Sequence, residues 1–73
     1  MILTKVESSN IDAIGYDKET KTLFVAYKTG VVYKYFDVPA EVYQKFLEAP
    51  SKGHFMNTEI KNIYSFVKQT PLN

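Results

Sequence analysis

Seventy-three residues make one domain and leave no room for a second core. The absence of cysteine and the single histidine exclude a disulfide scaffold and a Cys/His zinc site. A net charge of +1, with all nine basic residues lysine, is far from the basic bias of a dedicated nucleic-acid binder and offers no bidentate arginine fork.

The first residues, Met1-Ile2-Leu3-Thr4-Lys5-Val6-Glu7, lack the basic-then-apolar layout of a signal peptide. No apolar run approaches the ~20 residues needed to cross a bilayer. Together with the missing cysteines this predicts a cytoplasmic protein with no membrane partner. Ile2 to Val6 reads as a short strand or arm, and Ser8-Ser9-Asn10 as a turn. Ile11 to Asp17 reads as a strand and Asp17 to Thr22 as a polar turn. Thr22 to Lys28, rich in β-branched and aromatic residues, is a second strand. Lys28-Thr29-Gly30 is a tight loop, and Val31 to Phe36 is the third strand.

The turns set the register. With Gly30 as the left-handed residue of a three-residue loop, Tyr27 pairs with Val31, Val25 with Tyr33 and Leu23 with Tyr35. With Lys18 to Lys21 as a four-residue loop, Asp17 pairs with Thr22, Tyr16 with Leu23 and Ile14 with Val25. Both turns place Ile14, Tyr16, Leu23, Val25, Tyr27, Val31, Tyr33 and Tyr35 on one face. The other face takes Ile11, Ala13, Gly15, Phe24, Ala26, Lys28, Val32, Lys34 and Phe36. Its apolar members call for a cover: the N-terminal segment, the C-terminal tail, a helix or another subunit.

Val38-Pro39 opens a helix, with proline in its first turn. From Ala40 to Ala49 the residues Val42, Tyr43, Phe46 and Leu47 form an apolar stripe, while Glu41, Gln44, Lys45 and Glu48 face away. Pro50 ends it. Ser51 caps a second helix, about Lys52 to Ile63, with Phe55, Met56, Ile60 and Ile63 inward and a break near Asn57-Thr58. The rest is a tail with room for a short strand at Ser65-Phe66-Val67. The fold class is α+β: a three-stranded antiparallel meander, or four-stranded with the extra piece, and two C-terminal helices packed on one face.

Several residues carry chemistry under one of two readings. Tyr33 and Tyr35 are a stacking platform for bases, or core rings whose hydroxyls reach a cleft rim. Ser51, Lys52 and Gly53 form an anion site at a helix start, or a capped helix with Gly53 packed against a strand. Ser9, with Ser8 and Asn10, supplies polar contacts or a turn that caps the first strand. Asn57 and Lys61, one helical turn apart, reach a phosphate together, or are a cap beside an exposed lysine. From Pro50 onward three lysines face one acid, so an anion site belongs in that third of the chain. Phe24, Val32 and Phe36 are an oligomer interface, or a face covered from within. His54 has no identifiable triad partners, and the acids show no metal-ligand spacing. No catalytic residue, metal or cofactor is therefore expected.

The order of Val6-Glu7-Ser8-Ser9-Asn10-Ile11, Ala13-Ile14-Gly15-Tyr16-Asp17, Leu23-Phe24-Val25-Ala26-Tyr27, Gly30-Val31-Val32-Tyr33-Lys34-Tyr35, Val38-Pro39, Val42-Tyr43 and Ala49-Pro50-Ser51-Lys52-Gly53, with Asn57, Ile60 and Tyr64, resembles a KTSC domain. The resemblance spans about residues 6 to 66. The family takes its name from a domain at the C-terminus of some lysyl-tRNA synthetases and also occurs as short free-standing bacterial and phage proteins. It implies an RNA-binding role. Family members often carry arginine near position 61; Lys61 keeps a phosphate contact but not a bidentate one.

The expected function is a non-enzymatic binding module for RNA or a nucleotide-like ligand, with Ser9, Tyr33, Tyr35, Ser51, Lys52, Gly53, Asn57 and Lys61 as its site. Two alternatives differ in kind. One is a small homo-oligomer that sequesters a soluble nucleotide signal, as a phage-encoded sponge would. The other is a protein-interaction module using Phe24 and Phe36.

Overall fold

The computed structural model describes residues 3–69. Among them, strands β1 (Thr4–Lys5), β2 (Ile11–Asp17), β3 (Thr22–Tyr27), β4 (Val32–Tyr35) and β5 (Phe66–Lys68) form one antiparallel sheet in chain order. Helix α1 (Ala40–Glu48), helix α2 (Lys52–Phe55) and a π-helical turn at Met56–Ile60 lie between β4 and β5. The fold is α+β, and its sheet has five strands where the sequence predicts three or four. The two additional strands are very short edges, two and three residues long, which leave little pattern to read. Ile2, placed at the start of the N-terminal strand by the sequence, and the tail from Thr70 lie outside the described residues.

The hairpin register follows the turns. Gly30 has φ +95°, and Tyr27 N–H donates to the Val31 carbonyl at 2.8 Å. The pairs Val25–Tyr33, Leu23–Tyr35, Tyr16–Leu23, Ile14–Val25 and Asp17–Thr22 are all present. In the Asp17–Thr22 turn the Asp17 carboxylate accepts from Glu19 N–H at 3.0 Å, and Lys21 takes positive φ.

Two residues leave the face that strict alternation assigns them. A β-bulge lies between Ile11 and Ala13, so Ile11 pairs with Tyr27 while Ala13 pairs with Ala26. The extra residue flips Ile11 into the main core, where it is buried. Lys28 follows the end of β3. Its N–H donates to the Asn10 carbonyl at 2.8 Å, and the residue lines a cleft together with Tyr27, Tyr33 and Tyr35.

The main core lies between the sheet and the helices. Ile11, Ile14, Leu23, Val25, Tyr35, Val38, Phe46, Met56 and Ile60 are buried together. Burying each large side chain stabilises by about 1.5–3 kcal/mol. Helix α1 inserts Phe46 and lays Val42, Tyr43 and Leu47 on this cluster; Glu41, Gln44, Lys45 and Glu48 are exposed. Pro39 is the residue before α1 rather than inside its first turn. Phe46 and Phe55 stack at 5.3 Å, which joins α1 to α2.

The second helical segment does not break at Asn57-Thr58; it widens. Lys61 N–H donates to the Met56 carbonyl, five residues back, at 2.8 Å. Thr58 Oγ1 donates to the His54 carbonyl at 2.9 Å and ties the wide turn to the α-helical turn before it. The added residue per turn changes which side chains face the core. Met56 and Ile60 are buried, whereas Ile63, predicted inward, is 60% exposed, and Tyr64 packs on the core instead.

On the opposite sheet face a smaller cluster of Ala13, Ala26 and Val32 is covered by Leu3. Phe24 and Phe36 are half-buried there, with the Lys34 ammonium 6.0 and 5.9 Å from their ring centres.

Candidate functional site

A cleft of about 520 Å³ opens where the Ser8–Asn10 turn, the β3–β4 loop, β4, β5 and the π-helical turn meet. Local chemistry brings these segments together. Ser8 Oγ accepts from the N–H groups of Asn10 and Ile11, both at 3.3 Å, which folds the turn. The Asn10 carbonyl then receives Lys28 N–H, so Ser9 and Asn10 sit beside Lys28 and Thr29. On the other side Phe36 N–H donates to the Ser65 carbonyl at 2.9 Å, and β5 docks Phe66 opposite Tyr35.

The wall of the cleft is aromatic. Tyr27 meets Tyr33 edge-on at 5.7 Å, and Phe66 meets Tyr33 at 5.6 Å and Tyr35 at 5.3 Å. These centroid separations are those of favourable aromatic pairs. Tyr35 is 2% exposed and contributes to the floor, while half of Phe66 stays in solvent. The Tyr27 and Tyr35 hydroxyls influence each other's titration. Burial pushes the Tyr35 hydroxyl well above its ordinary value of 10.0, helped by Tyr27 and Tyr33. Burial also raises Tyr27, with the Tyr35 hydroxyl acting against it. The floor is thus a neutral pair of hydroxyls that can donate and accept.

Ser9, Asn10, Thr29, Asn57, Lys28 and Lys61 form an exposed polar rim. Asn57 lies in the π-helical turn and Lys61 caps its C-terminal end; both line the cleft while Met56 and Ile60 stay buried. Such turns are often found at functional positions.

Of the residues singled out in the sequence, the structure brings Ser9, Tyr33, Tyr35, Asn57 and Lys61 together in this cleft. It does not bring Ser51, Lys52 and Gly53 there. Ser51 lies at a separate shallow depression with His54, Phe55 and Thr58, and its Oγ accepts from His54 N–H at 3.3 Å as a helix cap. Lys52 donates to the Ala49 carbonyl at 2.7 Å. Gly53 has open space where a Cβ would stand, so it is not packed against a strand. Of the residues singled out as an oligomer interface, Val32 is buried within the chain, and Phe24 and Phe36 stay half-buried on the opposite face. Tyr27, Lys28, Thr29, Val31 and Phe66 complete the cleft without having been singled out as site residues. Tyr27 was legible as a neighbour of Tyr33 on the same face; Phe66 needed the pairing of β5.

The lining supplies rings, hydroxyls, amides and ammonium groups. Among the described residues, no cluster of three His, Cys, Asp or Glu side chains is arranged to hold a metal ion, and no helix is long and apolar enough to cross a membrane.

Comparison with known proteins agrees with this architecture. The crystal structure of a KTSC domain protein from Yersinia pestis superposes with a TM-score of 0.88 at 35% identity, covering 93% of this chain and 96% of that one. A protein of Tsukamurella paurometabola is 43% identical over 56 residues, 77% of this chain and 84% of the relative. The lysine–tRNA ligase of Nostoc punctiforme is 41% identical over 64 residues, 88% of this chain but only 11% of the ligase. The KTSC domain family model matches residues 7–64, and the chain belongs to the KTSC domain family.

Proposed function

We propose that this protein is a non-enzymatic binding module that takes one nucleotide unit, of RNA or of a nucleotide-like molecule, into the aromatic cleft. The observation that carries this reading is the convergence of Tyr27, Tyr33, Tyr35 and Phe66 with Lys28, Lys61 and Asn57 around about 520 Å³. A flat base has rings to pack against, its polar edge meets hydroxyls and an amide, and its phosphate meets ammonium groups. The cytoplasm, where both RNA and free nucleotides are available, is the compartment this reading requires. The lysine–tRNA ligase relatives, enzymes that act on an RNA, favour RNA as the source of the unit.

The size of the cleft favours a second reading, in which a soluble nucleotide is sequestered whole. A net charge of +1 suits a small ligand better than a long polyanion. Salt separates the two. Binding of a labelled single-stranded RNA should weaken steeply between low and physiological salt, because many counterions are released; binding of a mononucleotide should weaken less. Titrating the full chain with both, followed by amide chemical shifts, tests the site itself. Shifts should centre on Tyr33, Asn57, Lys61 and Phe66 and vanish in Tyr33→Ala/Lys61→Ala. Undiminished binding by that variant would remove the cleft as the site.

A further inference from the structure

We infer that Lys28 and Lys61 together form the anion subsite of the cleft, a two-armed clamp for the phosphate of a nucleoside phosphate whose base lies against Tyr33 and Phe66. The inference rests on the nucleotide-binding reading and deepens it by assigning the charged half of the ligand.

Three observations converge. The two lysines line one cleft from independent places in the chain, Lys28 just after β3 and Lys61 at the C-cap of the π-helical turn. Among the described residues, neither has an ion-pair partner and none that lines the cleft is a carboxylate. Two cationic residues lining one cleft give it a positive potential, which favours a negatively charged occupant. The rest of the lining is uncharged: the rings of Tyr33, Tyr35 and Phe66 pack on one another, and Tyr27 meets Tyr33 edge-on. The ligand is therefore divided: an uncharged flat ring inside and an anion at the rim. Ser9 and Thr29 line the same cleft and carry hydroxyls, which are neutral donors. The helix start at Ser51-Lys52-Gly53 is not this subsite, because Lys52 is spent on the Ala49 carbonyl.

The test compares adenosine and uridine with their 5′-monophosphates, and with inorganic phosphate alone, by calorimetric titration of the full chain. The monophosphates should bind about tenfold or more tightly than the nucleosides. Lys28→Gln/Lys61→Gln should bring that ratio close to one while nucleoside binding persists. Both substitutions are at exposed positions, and circular dichroism checks that the fold is intact. Lys18→Gln/Lys45→Gln, at exposed positions outside the cleft lining, should keep the ratio. Equal binding of nucleosides and monophosphates by the wild type would overturn the clamp and leave the binding reading standing. Loss of the ratio in the Lys18/Lys45 control would also overturn it, by showing an effect of net charge alone. No binding of any nucleoside, monophosphate or short RNA would overturn both.

Discussion

The same sheet face carries tyrosines at both ends, and the two ends are finished differently. At one end Tyr16 stacks on Tyr43 of α1 at 5.0 Å with the rings nearly parallel, and its hydroxyl donates to the Val38 carbonyl. At the other end Tyr27, Tyr33 and Tyr35 meet Phe66 and leave a cleft. The residue type is the same, and so is the sheet. The difference lies in what covers them. Helix α1 supplies the Tyr43 ring and the segment leading into it the Val38 carbonyl, so the tyrosine there becomes packing. The π-helical turn reaches the second end with Asn57 and Lys61 rather than with apolar side chains, so the tyrosines there remain a lining. An aromatic residue on a strand is therefore structural or recognitive according to the segment placed over it.

The closed end can be broken most sharply through Phe46, fully buried beneath α1 and stacked on Phe55. Phe46→Ala should cost about 3–5 kcal/mol, enough to threaten folding in a domain this small. Urea unfolding followed by circular dichroism would measure it, and a loss under about 1 kcal/mol would mean that α1 is not what seals this end.

The open end should respond in binding more than in stability. Tyr33→Ala should weaken nucleotide binding by about 1–3 kcal/mol, the cost of one lost stacking partner, as read by titration. Its effect on the urea midpoint should be smaller than that of Phe46→Ala, since Tyr33 is only partly buried.

Alkaline pH should sharpen the comparison further. The Tyr35 hydroxyl titrates at 10.0 when unfolded and higher when folded. Below pH 10.0 both states hold the proton and nothing changes; above it the unfolded chain releases the proton first, so stability falls as pH rises. The slope from this group approaches about 1.4 kcal/mol per pH unit. Tyr16 and Tyr27 are shifted in the same direction and add to the loss. Tyr35→Phe should give a shallower alkaline decline in urea midpoint than the wild type; an unchanged slope would place the loss elsewhere.

The smallest effect belongs to Gly53, outside both ends. A methyl group there meets no atom within 4 Å beyond its chain neighbours and its own helix backbone. Gly53→Ala should leave nucleotide binding unchanged and stabilise by about 0.4–1 kcal/mol through the unfolded chain. Lost binding would return the Ser51–Gly53 segment to the site.

The register of the central meander was legible because two turns, each with its own chemistry, independently demand the same pairs. Asp17–Thr22 and Tyr27–Val31 leave no freedom to slide without turning Leu23 and Val25 outward. The apolar stripe of α1 was legible for a similar reason: four residues at helical spacing admit one packing face. Half of the site was legible in the same way, since Tyr33 and Tyr35 follow from the register and Asn57 and Lys61 stood out as a polar pair. Local pattern failed where one residue was inserted. The bulge between Ile11 and Ala13 turned Ile11 inward, and past the wide turn at Met56, Ile63 is exposed while Asn57 and Lys61 share a cleft with the tyrosines. Neither insertion leaves a mark that alternation or helical period can detect.

The sequence by itself determined the fold class, the strand register and the family, because turns and apolar spacing act between near neighbours. Only the tertiary structure decided which polar residues share a cleft. It seated Phe66 and Lys28 beside Tyr33, and kept Ser51, Lys52 and Gly53 apart from them. Those placements depend on β5 pairing with β4 and on Lys28 N–H meeting the Asn10 carbonyl, contacts between segments that are distant in the chain.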